Sequence, residues 1–535
     1  MGSRRRTTPG IVALLALLLA TALPLTALAQ GGTPAASPAA VEVPSEPSEP
    51  LVAPPAGKTE LVIAQSADVS TLDPQKSTQV NDISVTFNLY DNLLTRGRDL
   101  SIQPMLATEF NQVDDLTWEF QLREGVTFHN GEEFGADDVE FTIERTYSGE
   151  EGLTVASTFS TVQDVVVVDP LTVQFVTKAP DPLLPARLAF YGGQILPKDY
   201  FTQVGPDGFN QAPVGSGPVS FVEYVVDDHL TLARYDNYWG DPIAFQTVTF
   251  RPIPETSTRI AALQAGEVDI ITKVPSDQVQ DVADLENARI EQVLYNGLYV
   301  LGVNSTVPPL DNPLVKQALS LAIDRQAIVE ELYGGQGVVP SQPAVPGDFA
   351  YDPSLPAYPY DPERAEALLA EAGYNGEEIV IETTDGYLSN DLAMAEIIAQ
   401  GWEDIGVNVN LSQIETSVRA EKNRTKTFLG MWWSDPTSAL SDPDGMMWRL
   451  LAPEGAQPYF RNEEFDRLGT EARTSLDPAL RERNYRRMFE IFNENFPWLP
   501  IIQPQESYGV ANYISWFPYA NQYFNLRAEN LTLGG

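Results

Sequence analysis

From residue 58 onward the chain alternates short runs of strand length with longer runs whose apolar residues fall at helical spacing, and few architectures satisfy both. Leu61-Val62-Ile63-Ala64 is an apolar run of strand length, and residues 82–94 carry apolar residues at helical spacing. The class is therefore α/β. The patterns predict strands over 61–64, 116–122, 219–226, 230–234, 247–250 and 407–411, and a hairpin of 165–168 with 171–176 about Asp169-Pro170. They predict helices over 82–94, 136–147, 257–265, 313–333, 362–372, 391–405 and 478–495. Gly266, Gly373 and Gly406 stand where left-handed caps would end three of these.

The amino terminus has the three regions of a secretory signal. Arg4, Arg5 and Arg6 precede an apolar run over 11–23, shorter than the ~20 residues needed to span a bilayer, and Ala27-Leu28-Ala29 offers a small-x-small cleavage pattern. Residues 1–29 are expected to be removed in export, an uncleaved membrane anchor being the alternative. Residues 30–57 are rich in Pro, Ala, Ser and Glu without hydrophobic period, the composition of an unfolded tether.

Charge and cysteine content narrow the chemistry. The 535 residues carry 33 Lys+Arg against 74 Asp+Glu, a formal charge of −41, which repels phosphate backbones and excludes an ordinary nucleic-acid binder. With 43% hydrophobic residues the chain can fill a core, and its length suits two or three domains. No cysteine is present, so disulfides, thiolate nucleophiles and sulfur-ligated metals are excluded, and His129 and His229 are the only imidazoles. His129, beside the turn dipeptide Asn130-Gly131, reads as a packing histidine. Gly215-Ser216-Gly217-Pro218 lacks the spacing and lysine of a phosphate loop and reads as a turn. Asp442-Pro443-Asp444-Gly445 lacks the last glutamate of a calcium loop, and Asp324-Arg325 reads as an ordering pair inside a helix.

Several stretches, in one order along the chain, resemble the extracytoplasmic solute-binding proteins of family 5, the oligopeptide/dipeptide-binding class of ABC importers. They are Thr71-Leu72-Asp73-Pro74, residues 88–94, Pro104-Met105-Leu106-Ala107, residues 118–131, 214–218, Asn237-Tyr238-Trp239, residues 262–270, 316–325 and 368–374. The resemblance implies a bilobal periplasmic-binding-protein-like fold, two α/β lobes with a hinge and an extra subdomain in the first lobe. The first lobe would take 58–97, 213–302 and 496–535 with the subdomain at 98–212, and the second 303–495, the chain crossing near Asn304 and Phe496. It implies closure on a peptide and delivery to a membrane permease whose ATPase subunits are separate chains, by an exported, monomeric protein with no catalytic residue, cofactor or metal.

Recognition is expected at Met431-Trp432-Trp433-Ser434-Asp435-Pro436. Peptide-binding members of the family pair a Trp-x-x-Asp aspartate with the peptide's α-ammonium group, which Trp432 and Asp435 match, with Trp433 alongside. Pro436 follows sooner than the family pattern has it, and a Trp-Trp core strand closed by an Asp-Pro turn is the other reading. Arg424, ahead of Arg419 and Arg461, is the candidate for the ligand's carboxylate. The resemblance adds Ser66, Asp68 and Thr71 after the first strand, and Tyr295, Asn296 and Tyr299 on a crossing segment, whose main chain would pair with an extended peptide. The rival ligand is an oligosaccharide stacked on Trp432, Trp433 and Trp448. A secreted carboxylate-dependent hydrolase is the rival from another class.

Overall fold

A single strand, Trp498–Ala511, fourteen residues long and almost wholly buried, carries both halves of the molecule. The computed structural model describes residues 51–147 and 153–534; the expected signal segment and residues 30–50 of the expected tether lie outside the described residues. The first part of that strand pairs antiparallel with Tyr299–Val303 and its second part with Ala288–Leu294, so both segments change surroundings together at residues 295–298 and 503–504. On one side the twelve-stranded sheet continues through Met431–Ser434, Glu378–Thr383 and Asn408–Gln413; on the other it continues through Ile270–Ile271, Glu60–Gln65, Thr247–Pro252, His229–Arg234 and Val219–Val225. Asn304 and Phe496, where the crossings are expected, each lie two residues beyond the last pair of the first ladder, Gly302 with Trp498.

Two main cores pack on this sheet and a third on a separate one. One is built within residues 298–502, from Val300, Leu319, Ile381, Trp402 and Leu499 among others. A second joins the two ends of the described chain, Leu61 and Ile63 packing with Val510, Trp516 and Leu531. A third lies within residues 93–195, where Ala136–Tyr147 covers a separate antiparallel sheet of Ala107–Asp114, Thr117–Leu122, Thr172–Thr177 and Val162–Asp169. Phe120 and Phe175 meet edge to face at 5.2 Å in that core.

Most sequence-predicted elements form. Ala136–Tyr147 and Pro478–Asn495 have the expected bounds, and Gly266 and Gly373 adopt the left-handed cap. Two predicted helices differ. The first is Val80–Leu89, with Leu94 in the short strand Leu94–Arg96. The helix expected over 313–333 is two, Pro313–Leu321 and Arg325–Tyr333, because Asp324 accepts from the Ala327 N–H at 2.9 Å and starts the second. Arg325 is buried and turns instead to the carbonyls of Pro500 (2.6 Å) and Ser320 (2.8 Å), which pins the break onto the long strand.

His129 ties a hairpin to the turn at 214–218. The Gly215 N–H donates to Nδ1 and Nε2 donates to the Gly217 carbonyl at 3.0 Å, while burial lowers its pKa to about 4, so the ring is neutral.

Candidate functional site

The strand Met431–Ser434 lies between Tyr299–Val303 and Glu378–Thr383, and successive side chains point to opposite faces. Trp432 is 1% exposed, stacked on Phe428 at 4.4 Å and packed against Tyr459. Gly302 sits across from it, where a Cβ would lie 2.5 Å from the indole. Trp433 is fully buried on the other face and donates from Nε1 to Thr383 Oγ1 at 3.1 Å. Both indoles are thus packed within the protein on the two faces of the strand. Trp448 is also buried, packed on Phe465 and Gly469.

Asp435 leaves the end of this strand partly buried. The Tyr387 hydroxyl donates to its Oδ1, and the Arg419 guanidinium lies 3.2 Å over the Tyr387 ring. Arg419 is itself held by Nε and Nη2 bonds to the Trp433 carbonyl, at 3.1 and 2.9 Å. Burial raises the Asp435 pKa, and the Tyr387 bond and the Arg419 charge only partly oppose it. Arg424, the sequence candidate, is instead 72% exposed on the helix Thr416–Thr425 and paired with Glu421 at 2.6 Å. Arg461 is spent on the carbonyls of Phe460 and Pro453.

Tyr295, Asn296 and Tyr299 do gather near Asp435. The residue 296–298 segment runs against 436–438, with Leu298 N–H donating to Pro436 O at 3.1 Å and Ser438 N–H to Asn296 O at 2.7 Å. Tyr295 N–H donates to Pro504 O, so these main-chain groups, expected to meet a ligand, already pair within the protein. The rings of Tyr295 and Tyr299 meet edge to face at 6.3 Å, and both phenols are pushed well up, first by burial, with Asp435 and Glu506 acting on each.

The loop after the first strand is anchored elsewhere. Asp68 accepts from Tyr224 Oη (2.9 Å) and Asp227 N–H (2.7 Å), and Thr71 Oγ1 donates to Asn210 at 2.7 Å. Ser66 is partly buried beside Gln65, which lines an open recess together with Thr272, Lys273, Glu506, Gln522 and Phe524. Glu506 accepts from Gln522 Nε2 at 2.7 Å, and burial raises its pKa against the nearby Lys273. Tyr387, Gln65, Thr272 and Glu506 are isolated polar residues in sequence and carry no pattern; only Arg419 had a signal, as one of three arginines around the Trp-Trp strand.

Among the described residues no group of three or more His, Asp and Glu side chains is arranged to hold a metal. The Asp442–Asp444 turn is filled by cations instead: Arg481 lies 2.7 Å from Asp442, and Arg473 and Arg187 lie 3.3 and 3.7 Å from Asp444. Among the described residues no helix is long and apolar enough to cross a membrane.

Residues 101–458 match the family described as bacterial extracellular solute-binding proteins, family 5 (middle region). The glutathione-binding protein GsiB of Salmonella typhimurium is 27% identical over 459 residues, covering 83% of this chain and 88% of that protein. HbpA2 from Haemophilus parasuis superimposes with a TM-score of 0.80 at 26% identity, over 89% of this chain and 99% of that one. The periplasmic binding protein DppA from Helicobacter pylori, in complex with the peptide STSA, does so with a TM-score of 0.74 at 25% identity, over 89% and 98%. These neighbours are binding proteins with the same mixed α/β, bilobal architecture. The chain belongs to family 5 of the bacterial extracellular solute-binding proteins, the ligand-capturing components of ABC transporters.

Proposed function

We propose that this protein is exported, captures di- to oligopeptides between two lobes, and delivers them to an ABC permease whose ATPase subunits are separate chains, without catalysing a reaction. The observation that carries this reading is Asp435: a partly buried carboxylate held by Tyr387 beside the tyrosine-lined crossing segment, suited to a ligand's ammonium group. The peptide bound by the Helicobacter pylori neighbour supports it. Arg419, over the Tyr387 ring, is the cation nearest this centre and takes the role first assigned to Arg424.

We assign the lobes as 58–297 with 504–535, including a subdomain at 98–212, and 298–503, the boundaries expected at 302 and 496 moving to where the strand partners change. The joint partner change at 295–298 and 503–504 is the hinge. A smaller radius of gyration by small-angle scattering on adding ligand tests closure; an unchanged radius with a ligand that binds refutes it. The oligosaccharide alternative loses its main support, since the three indoles proposed to stack on sugars are buried.

The deciding experiment is thermal unfolding of residues 58–535, refolded to remove carried ligand, across di- to hexapeptides and oligosaccharides. A peptide at 100 times its dissociation constant adds about 2.7 kcal/mol. A shift given by free peptides and withheld by N-acetylated ones supports the Asp435 pairing, and a shift given by sugars alone refutes the peptide reading.

A further inference from the structure

Gln65 is the last residue of the strand Glu60–Gln65, and Thr272 follows the parallel strand Ile270–Ile271, placed next to it by the register of Ile63 with Ile270 and Ala64 with Ile271. Open α/β sheets take ligands outside the carboxyl ends of such strands. Both side chains are almost fully enclosed, at 2% and 6% exposed, and both line the recess that also holds Glu506 and Lys273. Among the described residues, neither Gln65 Nε2 nor Oε1, nor Thr272 Oγ1, has a hydrogen-bond partner.

An enclosed carboxamide with both atoms unpaired costs folding free energy that an apolar side chain of the same size does not. That cost is recovered when a group entering the recess supplies a donor and an acceptor together. We propose that Gln65 is a ligand-binding contact, its carboxamide pairing with the N–H and C=O of one residue of an extended peptide, with the Thr272 hydroxyl bonding the same stretch. An extended residue presents both groups on one edge, and a primary amide offers its donor and acceptor side by side. Recognition of this kind reads main chain and leaves side chains free. Glu506 and Lys273 carry opposite charges on the recess wall, so this stretch of the ligand needs no net charge. The inference rests on the peptide reading above and adds to the Asp435 centre a second, neutral point of contact.

Gln65→Met keeps side-chain length and removes both hydrogen-bonding atoms. In the ligand-free protein its thermal midpoint is expected to equal or exceed that of the parent, since an unpaired amide is gone. For peptides that bind the parent, the dissociation constant is expected to rise about tenfold, the loss of two neutral hydrogen bonds. An N-methyl scan of one such peptide is expected to find a single position that weakens the parent and has no further effect on Gln65→Met. Peptide binding unchanged in Gln65→Met, or a ligand-free midpoint several degrees lower, overturns the proposal while leaving the peptide reading intact. If no peptide shifts the parent, the peptide reading falls and the amide pairing falls with it.

Discussion

Arg187 Nη2 and Asp444 Oδ2 lie 3.7 Å apart, both side chains buried, and join two different cores. Arg187 sits in the helix Leu184–Leu188, whose leucines belong to the core within 93–195, and Asp444 opens the stretch whose Met446, Met447 and Trp448 belong to the core within 298–502. Arg96 makes a parallel link, donating to Ser441 Oγ at 3.0 Å. Under the lobe division proposed here, separation of the lobes must break both.

Asp444→Asn therefore removes a closing contact and leaves each arginine with another acidic partner, Asp181 at 3.2 Å from Arg187 and Glu454 at 3.9 Å from Arg473. Ligand affinity is expected to fall by on the order of 1 kcal/mol, about fivefold, through a faster off-rate. The ligand-free midpoint should change little, because both arginines keep their second acidic partners. Stopped-flow dissociation of a bound peptide reads the first effect and scanning calorimetry the second; an unaltered off-rate means the contact does not hold closure.

Asp348 gives the molecule a pH dependence near neutrality. Its carboxylate is buried, accepts from Ser438 Oγ and Val345 N–H, and is pushed by desolvation up to about 7. A carboxyl whose folded pKa lies above its ordinary value stabilises the fold when protonated, and that stabilisation is lost as pH rises from about 4 through about 7. Asp348→Asn can still accept from Val345 and donate to Ser438, so it is expected to match the parent near pH 4 and exceed it at pH 8. Thermal midpoints of the two proteins across that range check the divergence, and parallel curves refute the assignment.

How far the fold was legible follows from what each element needs. Helices 136–147 and 478–495 carry full amphipathic periods and acidic or Pro starts, and form with the expected bounds. The long strand Trp498–Ala511 escaped notice because Pro500 and Pro504 interrupt its pattern. The fold accommodates them by a register shift at Tyr299/Val300 and by using their carbonyls, which accept from Arg325 and Tyr295. At the site, the sequence marked Asp435 and the crossing tyrosines but not Tyr387, Gln65 or Glu506, single polar residues that only the sheet order brings together. It left the two tryptophans open between core and ligand; Phe428 and Tyr459 pack against the Trp432 ring.

That packing makes a prediction. A methyl group at position 302 would meet the Trp432 ring at 2.5 Å, inside a strand with no room to yield. Gly302→Ala is expected to cost about 1–3 kcal/mol of stability. Trp432→Phe, which leaves a cavity against Phe428, is expected to lower the midpoint while the order of preference among peptides stays the same. Denaturant unfolding with a peptide panel measures both, and a changed preference would return Trp432 to the ligand.

The ionic end of the ligand is the last test, and it separates three residues. Asp435→Asn keeps the Tyr387 hydrogen bond and removes the charge that an ammonium group needs. Truncating one member of a buried ion pair typically costs about 3–5 kcal/mol, so free peptides are expected to bind roughly a hundredfold or more weaker, with N-acetylated peptides hardly affected. Tyr387→Phe removes one donor to Asp435 and uncovers nothing else, and is expected to weaken the same peptides less. Arg424→Ala is expected to leave binding unchanged, since that guanidinium stands in solvent with Glu421. Isothermal titration across these variants and both peptide forms gives the answer. Equal losses for free and acetylated peptides in Asp435→Asn would make Asp435 a structural partner of Tyr387 and move the ammonium contact to Glu506, the other half-buried carboxylate acting on Tyr295 and Tyr299.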